Sequence, residues 1–173
     1  EGNEYRFRGS VSGPLSEEWS GRVTGFYGSY DGNIRNTFFD EDVNGYEHYG
    51  ARAITDYRGN TARLRLIADY FRGNDDCCAD VTGVSRGAVL DAELGFPVAL
   101  GTDQRTVNHN LITRTKDQQW SLTGNLDLDV FDTHTLSVIL GYRDWENTEF
   151  REGDFLPRAI VGTAELHDTG EVR

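Results

Sequence analysis

The chain has 173 residues, with 17 Lys and Arg against 29 Asp and Glu and a formal net charge of -12. This excess of acid argues against a nucleic-acid partner, because phosphate binding needs a basic surface. The mean hydropathy of -0.58 and the lack of an apolar run of about 18–20 residues exclude a transmembrane helix, but not a transmembrane β-barrel, whose apolar residues occupy every second position. With 12% aromatic residues and 20 Gly, the composition is typical of an all-β protein.

Apolar and polar residues alternate in six segments, and this pattern predicts six long strands. In the first strand, Tyr5, Phe7 and Val11 occupy one face, and Arg6 and Arg8 occupy the other. Such strands are longer than the usual ~5–6 residues and close to the ~9–11 that cross a bilayer at a tilt. The predicted strands cover about residues 4–12, 19–30, 48–57, 62–72, 118–130 and 136–146.

The connections between these strands alternate in length. Short turns over 13–18, 58–61 and 131–135 alternate with long loops over 31–47, 73–117 and 147–173. Outer-membrane barrels have short periplasmic turns and long extracellular loops. Since about eight strands are the minimum for closure, we expect an antiparallel meander that is part of a larger transmembrane barrel.

Several short motifs resemble one protein family. They include Val11-Ser-Gly-Pro-Leu-Ser16, Val23-Thr-Gly-Phe-Tyr27 and Leu140-Gly-Tyr-Arg-Asp-Trp145. Ile67-Ala-Asp-Tyr70, which leads into Asp75-Asp-Cys-Cys78, belongs to the same set. In order and spacing they resemble the early barrel strands of TonB-dependent outer-membrane receptors of Gram-negative bacteria.

The resemblance implies a location in the bacterial outer membrane, in contact with its lipid. It also implies energy-coupled uptake of a bulky, scarce nutrient such as a ferric siderophore, a cobalamin or an oligosaccharide. TonB acts in this family through a plug domain that this sequence lacks, so we expect residues 1–173 to be one segment of the barrel. Ligand contacts are expected from the long loops, with these candidates: Phe38, Phe39, Tyr46, Arg86, Arg105 and His109.

Two loop features suggest metal or redox chemistry. Asp40, Asp42 and Asn44 alternate before a turn glycine, as in the first half of a calcium loop. Because position 51 is Ala rather than the closing Glu, an EF-hand is not expected, and a looser calcium site remains open beside a simple solvated loop. For the adjacent Cys77 and Cys78 we predict a vicinal disulfide that shapes the loop, and we expect no other cofactor.

The sequence contains no motif for a nucleophile or a phosphate-binding loop, so we predict that the protein is not an enzyme. Asp127 and Asp129 share the polar face of a predicted strand. We expect them to form ion pairs in the lumen with arginines such as Arg63, Arg65 and Arg143. Two alternatives stay open: a complete small outer-membrane barrel with a structural or adhesive role, and a secreted β-sandwich that binds glycans.

Overall fold

The computed structural model describes residues 2–80, 105–131, 133–153 and 162–172. Within these ranges no helix is long and apolar enough to cross a membrane. The same ranges contain ten β-strands: β1 (Glu4–Pro14), β2 (Trp19–Tyr30), β3 (Ile34–Asn36), β4 (Glu41–Val43), β5 (Tyr46–Arg58), β6 (Ala62–Asp75), β7 (Thr106–Val107), β8 (Arg114–Val130), β9 (His134–Glu152) and β10 (Gly162–Val172).

Seven of the strands form one antiparallel sheet in the order β1-β2-β5-β6-β8-β9-β10. Each long strand pairs with the long strand that precedes or follows it in the chain. The prediction of an all-β antiparallel meander is therefore confirmed. The sheet is open, because no pairing joins its edges β1 and β10 within the described ranges.

Each of the six predicted strands lies within an observed long strand, most of which extend further at one or both ends. The prediction of a loop over 147–173 was wrong, since β9 continues to Glu152 and residues 162–172 form the seventh long strand. In this segment Asp168 and Gly170 interrupt the alternation of Ala164 and Leu166. β10 forms through hydrogen bonding to β9 along its length, which sequence periodicity alone does not reveal.

The long connections contain a second, smaller sheet. β3, β4 and β7 form a three-stranded sheet in the order β4-β3-β7, which we call the loop sheet. Residues 31–47 and 73–117, predicted as plain loops, therefore contain short strands. Ile34, Val43 and Val107 of this sheet are the buried hydrophobic side chains of the part of the chain described. The hydrophobic core thus lies in the loop sheet rather than against the large sheet.

The large sheet has two faces of opposite character. Cross-strand pairs such as Val11–Val23, Val23–Ala53 and Ala68–Leu122 place apolar residues on one face across five strands. Many of these side chains are exposed: Val11 is 72%, Leu122 50% and Leu140 65% exposed. We call this surface the apolar face and the opposite surface the polar face. In the described ranges no second layer covers the apolar face.

Candidate functional site

The apolar face forms a band with defined limits. On β8 it extends over residues 120–128, and on β6 over residues 62–70. Beyond it, towards the loop sheet, the same face carries Arg72, Gln118 and Asp144. The band is as long as the ~9–11 residues with which a tilted strand crosses a bilayer.

Aromatic rings follow both margins of the band. Near the loop sheet, Tyr49 and Tyr70 have ring centroids 6.4 Å apart, and those of Trp120 and Tyr142 are 4.8 Å apart. At the short-turn margin, Trp19 and Tyr57 are 5.0 Å apart. Tyr and Trp prefer a position with one apolar and one hydrated side. Such rings therefore border the apolar face at both of its margins.

Charged and hydroxyl side chains are linked across the polar face. Arg52 Nε donates to Asp69 at 2.5 Å, and Ser121 Oγ donates to the other oxygen of Asp69 at 3.4 Å. Arg65 Nε donates to Asp56 at 2.6 Å. These cross-strand bonds hold the side chains of a hydrated face in position.

Asp127 and Asp129 do not form the expected ion pairs with any arginine in the described part of the chain. Asp127 accepts a hydrogen bond from Ser137 at 2.6 Å, and Asp129 accepts one from Thr135 at 3.0 Å. Arg65, one of the expected partners, pairs with Asp56 instead. Ser137 and Thr135 of β9 lie directly opposite the two carboxylates in the register, although Arg63 of β6 lies opposite Asp127 on the other side.

A row of rings on the polar face, near the loop sheet, forms the most distinctive cluster. It extends across β5, β6 and β2, and we call it the aromatic ladder. Its ring centroids are separated by 4.6 Å between Tyr46 and His48, 5.6 Å between His48 and Phe71, and 6.3 Å between Phe71 and Phe26. Rings on an otherwise hydrated face need a separate explanation.

The rings of Phe26, Tyr46 and His48 each lie over a glycine of a neighbouring strand, and the ring of Phe71 lies beside Gly73 of its own strand. A Cβ atom at Gly50 would come within 2.7 Å of the Phe26 ring, and one at Gly28 within 3.4 Å of the Tyr46 ring. A Cβ atom at Gly73 would meet His48 and Phe71 at 3.2 and 3.3 Å. Glycine therefore provides the space in which the rings rest on the sheet.

Polar contacts fix Tyr46 at one end of the ladder and His48 next to it. Tyr46 Oη donates to Glu4 at 2.6 Å and lies 3.1 Å from Arg6 Nε, and Arg6 also contacts Glu4. His48 Nε2 is 2.6 Å from the Asp75 carboxylate. A groove of about 550 Å³ opens beside the ladder, lined by residues that include Arg6, Arg8, Phe26, Tyr46 and His48.

A larger groove of about 920 Å³ continues along the polar face. Arg8 and Phe26 line both grooves. The larger one also contains Arg22, Arg52 and Arg143 against the two acids Asp69 and Asp117. The charge of this surface is thus opposite in sign to that of the whole chain.

The predicted ligand residues Phe38 and Phe39 are exposed at the turn between β3 and β4. Their rings are in edge contact, with centroids 4.9 Å apart. Buried Asn36 supports this turn, because its Oδ1 accepts the backbone N–H of Phe38 at 3.0 Å and its Nδ2 donates to the carbonyl of His109 at 3.0 Å. The two rings are therefore displayed on a braced turn.

The other predicted ligand residues are not brought together. Tyr46 lies in the ladder, and Arg105 is exposed next to β7, where its carbonyl accepts the N–H of Arg35 at 2.8 Å. His109 is only 5% exposed and packs within the loop sheet. Arg86 lies outside the described residues.

The carboxylates predicted as calcium ligands have protein partners. Arg35 binds Asp40 at 2.6 Å and Asp42 at 3.3 Å, while Asn44 Nδ2 donates to Asn33 at 2.8 Å. In the described ranges no group of three or more His, Cys, Asp or Glu side chains is arranged to hold a metal ion. The calcium site stays a prediction.

Cys77 and Cys78 are both thiols, and their sulfur atoms are 2.8 Å apart. Burial, followed by the hydrogen bond with Cys78, raises the pKa of the Cys77 thiol to about 12. Cys77 is therefore protonated, and weakly nucleophilic, at neutral pH. The vicinal disulfide also stays a prediction.

Sequence reasoning did not single out Arg8, Phe26, His48 or Phe71 as site residues. The sequence did contain a signal for the ladder. Phe26 and Phe71 stand where the alternation places polar residues, and Gly28, Gly50 and Gly73 lie on the same face of the sheet.

Comparison of the chain with protein-family models, with curated proteins and with solved structures gives no match.

Proposed function

We propose that this chain is part of the barrel wall of an outer-membrane receptor of the TonB-dependent type, which takes up a bulky nutrient across the bacterial outer membrane. In this arrangement the apolar face contacts lipid and the polar face lines the lumen. The loop sheet then belongs to the extracellular side, and TonB acts through a plug domain. The chain has no catalytic role.

One observation carries the proposal: the apolar face is exposed over a band of bilayer height with aromatic rings at both margins. In water, each Å² of apolar surface left uncovered would cost about 25 cal/mol of free energy, and the exposed band would promote association. In lipid the same surface has no such cost.

Each of the two alternative functions would require a further structural feature, either a covering sheet or closure of the sheet into a barrel. A glycan-binding sandwich needs a second sheet over Val23, Leu122 and Leu140, and none lies there in the described ranges. A complete small barrel needs pairing between β1 and β10, which is likewise not seen there. The sheet therefore favours a larger wall, to which further strands add at both edges.

Single cysteines at adjacent positions of β8 test this assignment. In the intact protein with Cys77→Ser and Cys78→Ser, Leu122→Cys and Thr123→Cys are each labelled with a polarity-sensitive fluorophore. We expect quenching at position 122 by nitroxide lipids and quenching at position 123 by aqueous iodide, because the two side chains occupy opposite faces.

The pair Leu140→Cys and Gly141→Cys on β9 repeats the comparison one strand away. Protection of positions 122 and 140 from both quenchers would indicate a covering protein layer and would refute the barrel wall. Equal access of iodide to both members of each pair would refute it too.

A further inference from the structure

The aromatic ladder and the adjacent arginines suggest a ligand chemistry. We infer that the polar face next to the ladder binds a planar, ring-bearing anion, with Phe26 and Tyr46 stacking on the ring and Arg8 binding the anionic group. This inference rests on the proposed function, since the ladder reaches the lumen only if the polar face lines it.

The ladder has the geometry of a stacking surface. Its rings lie over Gly28, Gly50 and Gly73, so they rest on the sheet and leave ring surface towards the groove. Phe26, Tyr46, His48 and Phe71 are all half-buried. A planar ligand can stack on such ring faces.

The charge pattern indicates the sign of the ligand. At the ladder, Arg6 is neutralised by Glu4, and His48 is paired with Asp75. Arg8 at the groove has no ion pair among the described side chains. In a chain with a net charge of -12, a cation left without a carboxylate partner at the junction of two grooves favours an anion.

The larger groove extends the same pattern. Of its four arginines, Arg52 is paired with Asp69. Among the described side chains, the only partner of Arg22 is a hydroxyl, Ser10 Oγ at 3.3 Å. Arginine binds carboxylate and phosphate groups through paired N–H donors, and these bonds are stronger than neutral ones. A ligand that leaves the ladder along this groove would meet further cations.

The size of the groove fits a small organic ligand. The volume of about 550 Å³ next to the ladder lies in the ~300–1,000 Å³ range of small-molecule sites. The mixed lining of rings and guanidinium groups suits a ligand with one flat apolar part and one charged part.

Calorimetric titration of the intact protein in detergent tests the inference, with naphthalene-2-carboxylate as the probe and protein-free micelles as the blank. Naphthalene-2-carboxamide has the same ring without the charge. We expect the carboxylate to bind with a Kd of about 1 mM or tighter, and the amide to bind at least about 5-fold more weakly.

Two variants separate charge from stacking. Arg8→Gln should weaken carboxylate binding by about 5-fold or more, and Phe26→Leu should weaken both probes. Arg63→Gln is the matched control, because it removes the same charge from the same face near the short turns and should change nothing. Arg8 is exposed, so Arg8→Gln remains informative if Phe26→Leu fails to fold.

Equal binding of carboxylate and amide, no binding at about 10 mM, or an equal loss in Arg8→Gln and Arg63→Gln would each overturn the inference. The outcome is independent of the quenching experiment. If position 122 faces lipid while the carboxylate does not bind, the ligand class is refuted and the barrel wall stands. If position 122 is covered by protein, the proposed function is refuted, and the inference that rests on it is refuted with it.

Discussion

At the scale of single residues, buried polar side chains organise the loop sheet. Asn36 is 1% exposed and makes hydrogen bonds to the backbone of Phe38 and of His109. Glu152 is also buried, and its carboxylate accepts the N–H groups of Leu111 and Gly153 at 3.0 and 2.9 Å. Because a buried group without such bonds costs about 1–3 kcal/mol, these residues fix the path of the loops.

The environment of Asp76 predicts that the stability of the fold depends on pH. Its carboxylate accepts the N–H of Gly45, and burial raises its pKa above the ordinary value of 3.8. A raised carboxyl pKa means that the folded chain binds the proton more readily, so this group's contribution to stability falls as pH rises from about 4 towards the folded pKa.

The prediction is tested by urea unfolding of the intact protein in detergent at pH 4 and pH 7. Asp76→Asn keeps an oxygen acceptor for Gly45 and removes the charge, so we expect a smaller loss of stability between the two pH values than in the wild type. Asp76→Ala removes the acceptor and should cost about 1–3 kcal/mol at both pH values. An unchanged pH dependence in Asp76→Asn would contradict the assignment.

At the scale of elements, aromatic side chains connect the central strands. A ring from one strand packs over a glycine of the neighbouring strand. The closest case is Gly50 of β5, which lies between Phe26 of β2 and Phe71 of β6. A Cβ atom there would lie 2.5 Å from the carbonyl oxygen of Tyr70 and 2.7 Å from the Phe26 ring. The backbone oxygen cannot move aside without disturbing the ladder.

We therefore expect Gly50→Ala to destabilise the sheet by about 1–3 kcal/mol, the usual cost of forcing atoms into occupied space. Gly25→Ala is the matched control, since its Cβ atom would meet nothing closer than 3.9 Å. Both are measured as free energies of unfolding in detergent. A Gly50→Ala variant as stable as Gly25→Ala would show that the rings do not depend on the glycine.

The strands differ in how well their sequence predicts them. β2 agrees with its predicted bounds, 19–30, because Trp19 and Val23 alternate with polar residues over most of its length, and Phe26 is the one apolar side chain among the polar positions 20–26. β10 was missed because Asp168 and Gly170 break the pattern. β3, β4 and β7 were missed because strands of two or three residues carry no measurable period, and they form only where Ile34, Val43 and Val107 meet.

The candidate site was predictable only in part. The predicted loops 31–47 and 73–117 do lie between long strands, and Phe38 and Phe39 are exposed in the first of them. The burial of His109 could not be read from the sequence, because its partner Asn36 is 73 positions away. The ladder depends in the same way on the pairing of β2 with β5 and of β5 with β6.

At the scale of the whole molecule, the two faces of the sheet predict opposite responses to charge. In the proposed barrel wall, Leu122→Arg places a charge within the apolar band, and an arginine that faces lipid costs up to about 2–4 kcal/mol at the bilayer centre. Thr123→Arg places the same charge on the polar face, opposite Ile67 and Gly141. We expect only the first substitution to reduce the amount of intact protein recovered folded in the outer membrane.

The comparison is made on membrane fractions, with folded protein identified by its altered gel mobility before heating. Equal recovery of the two variants would contradict a lipid-facing apolar band. The same result would remove the physical basis for a lumen on the opposite face.

The sequence by itself determined the all-β class, the six clearest strands and the division of each into an apolar and a polar side. It could do so because side chains alternate strictly along a strand, so local order sets the face. The tertiary structure alone decided the seventh long strand, the loop sheet and the aromatic ladder. Each depends on contacts between residues far apart in the chain, such as Asn36 with His109 and Gly50 with Phe26, and these exist only once the register between strands is set.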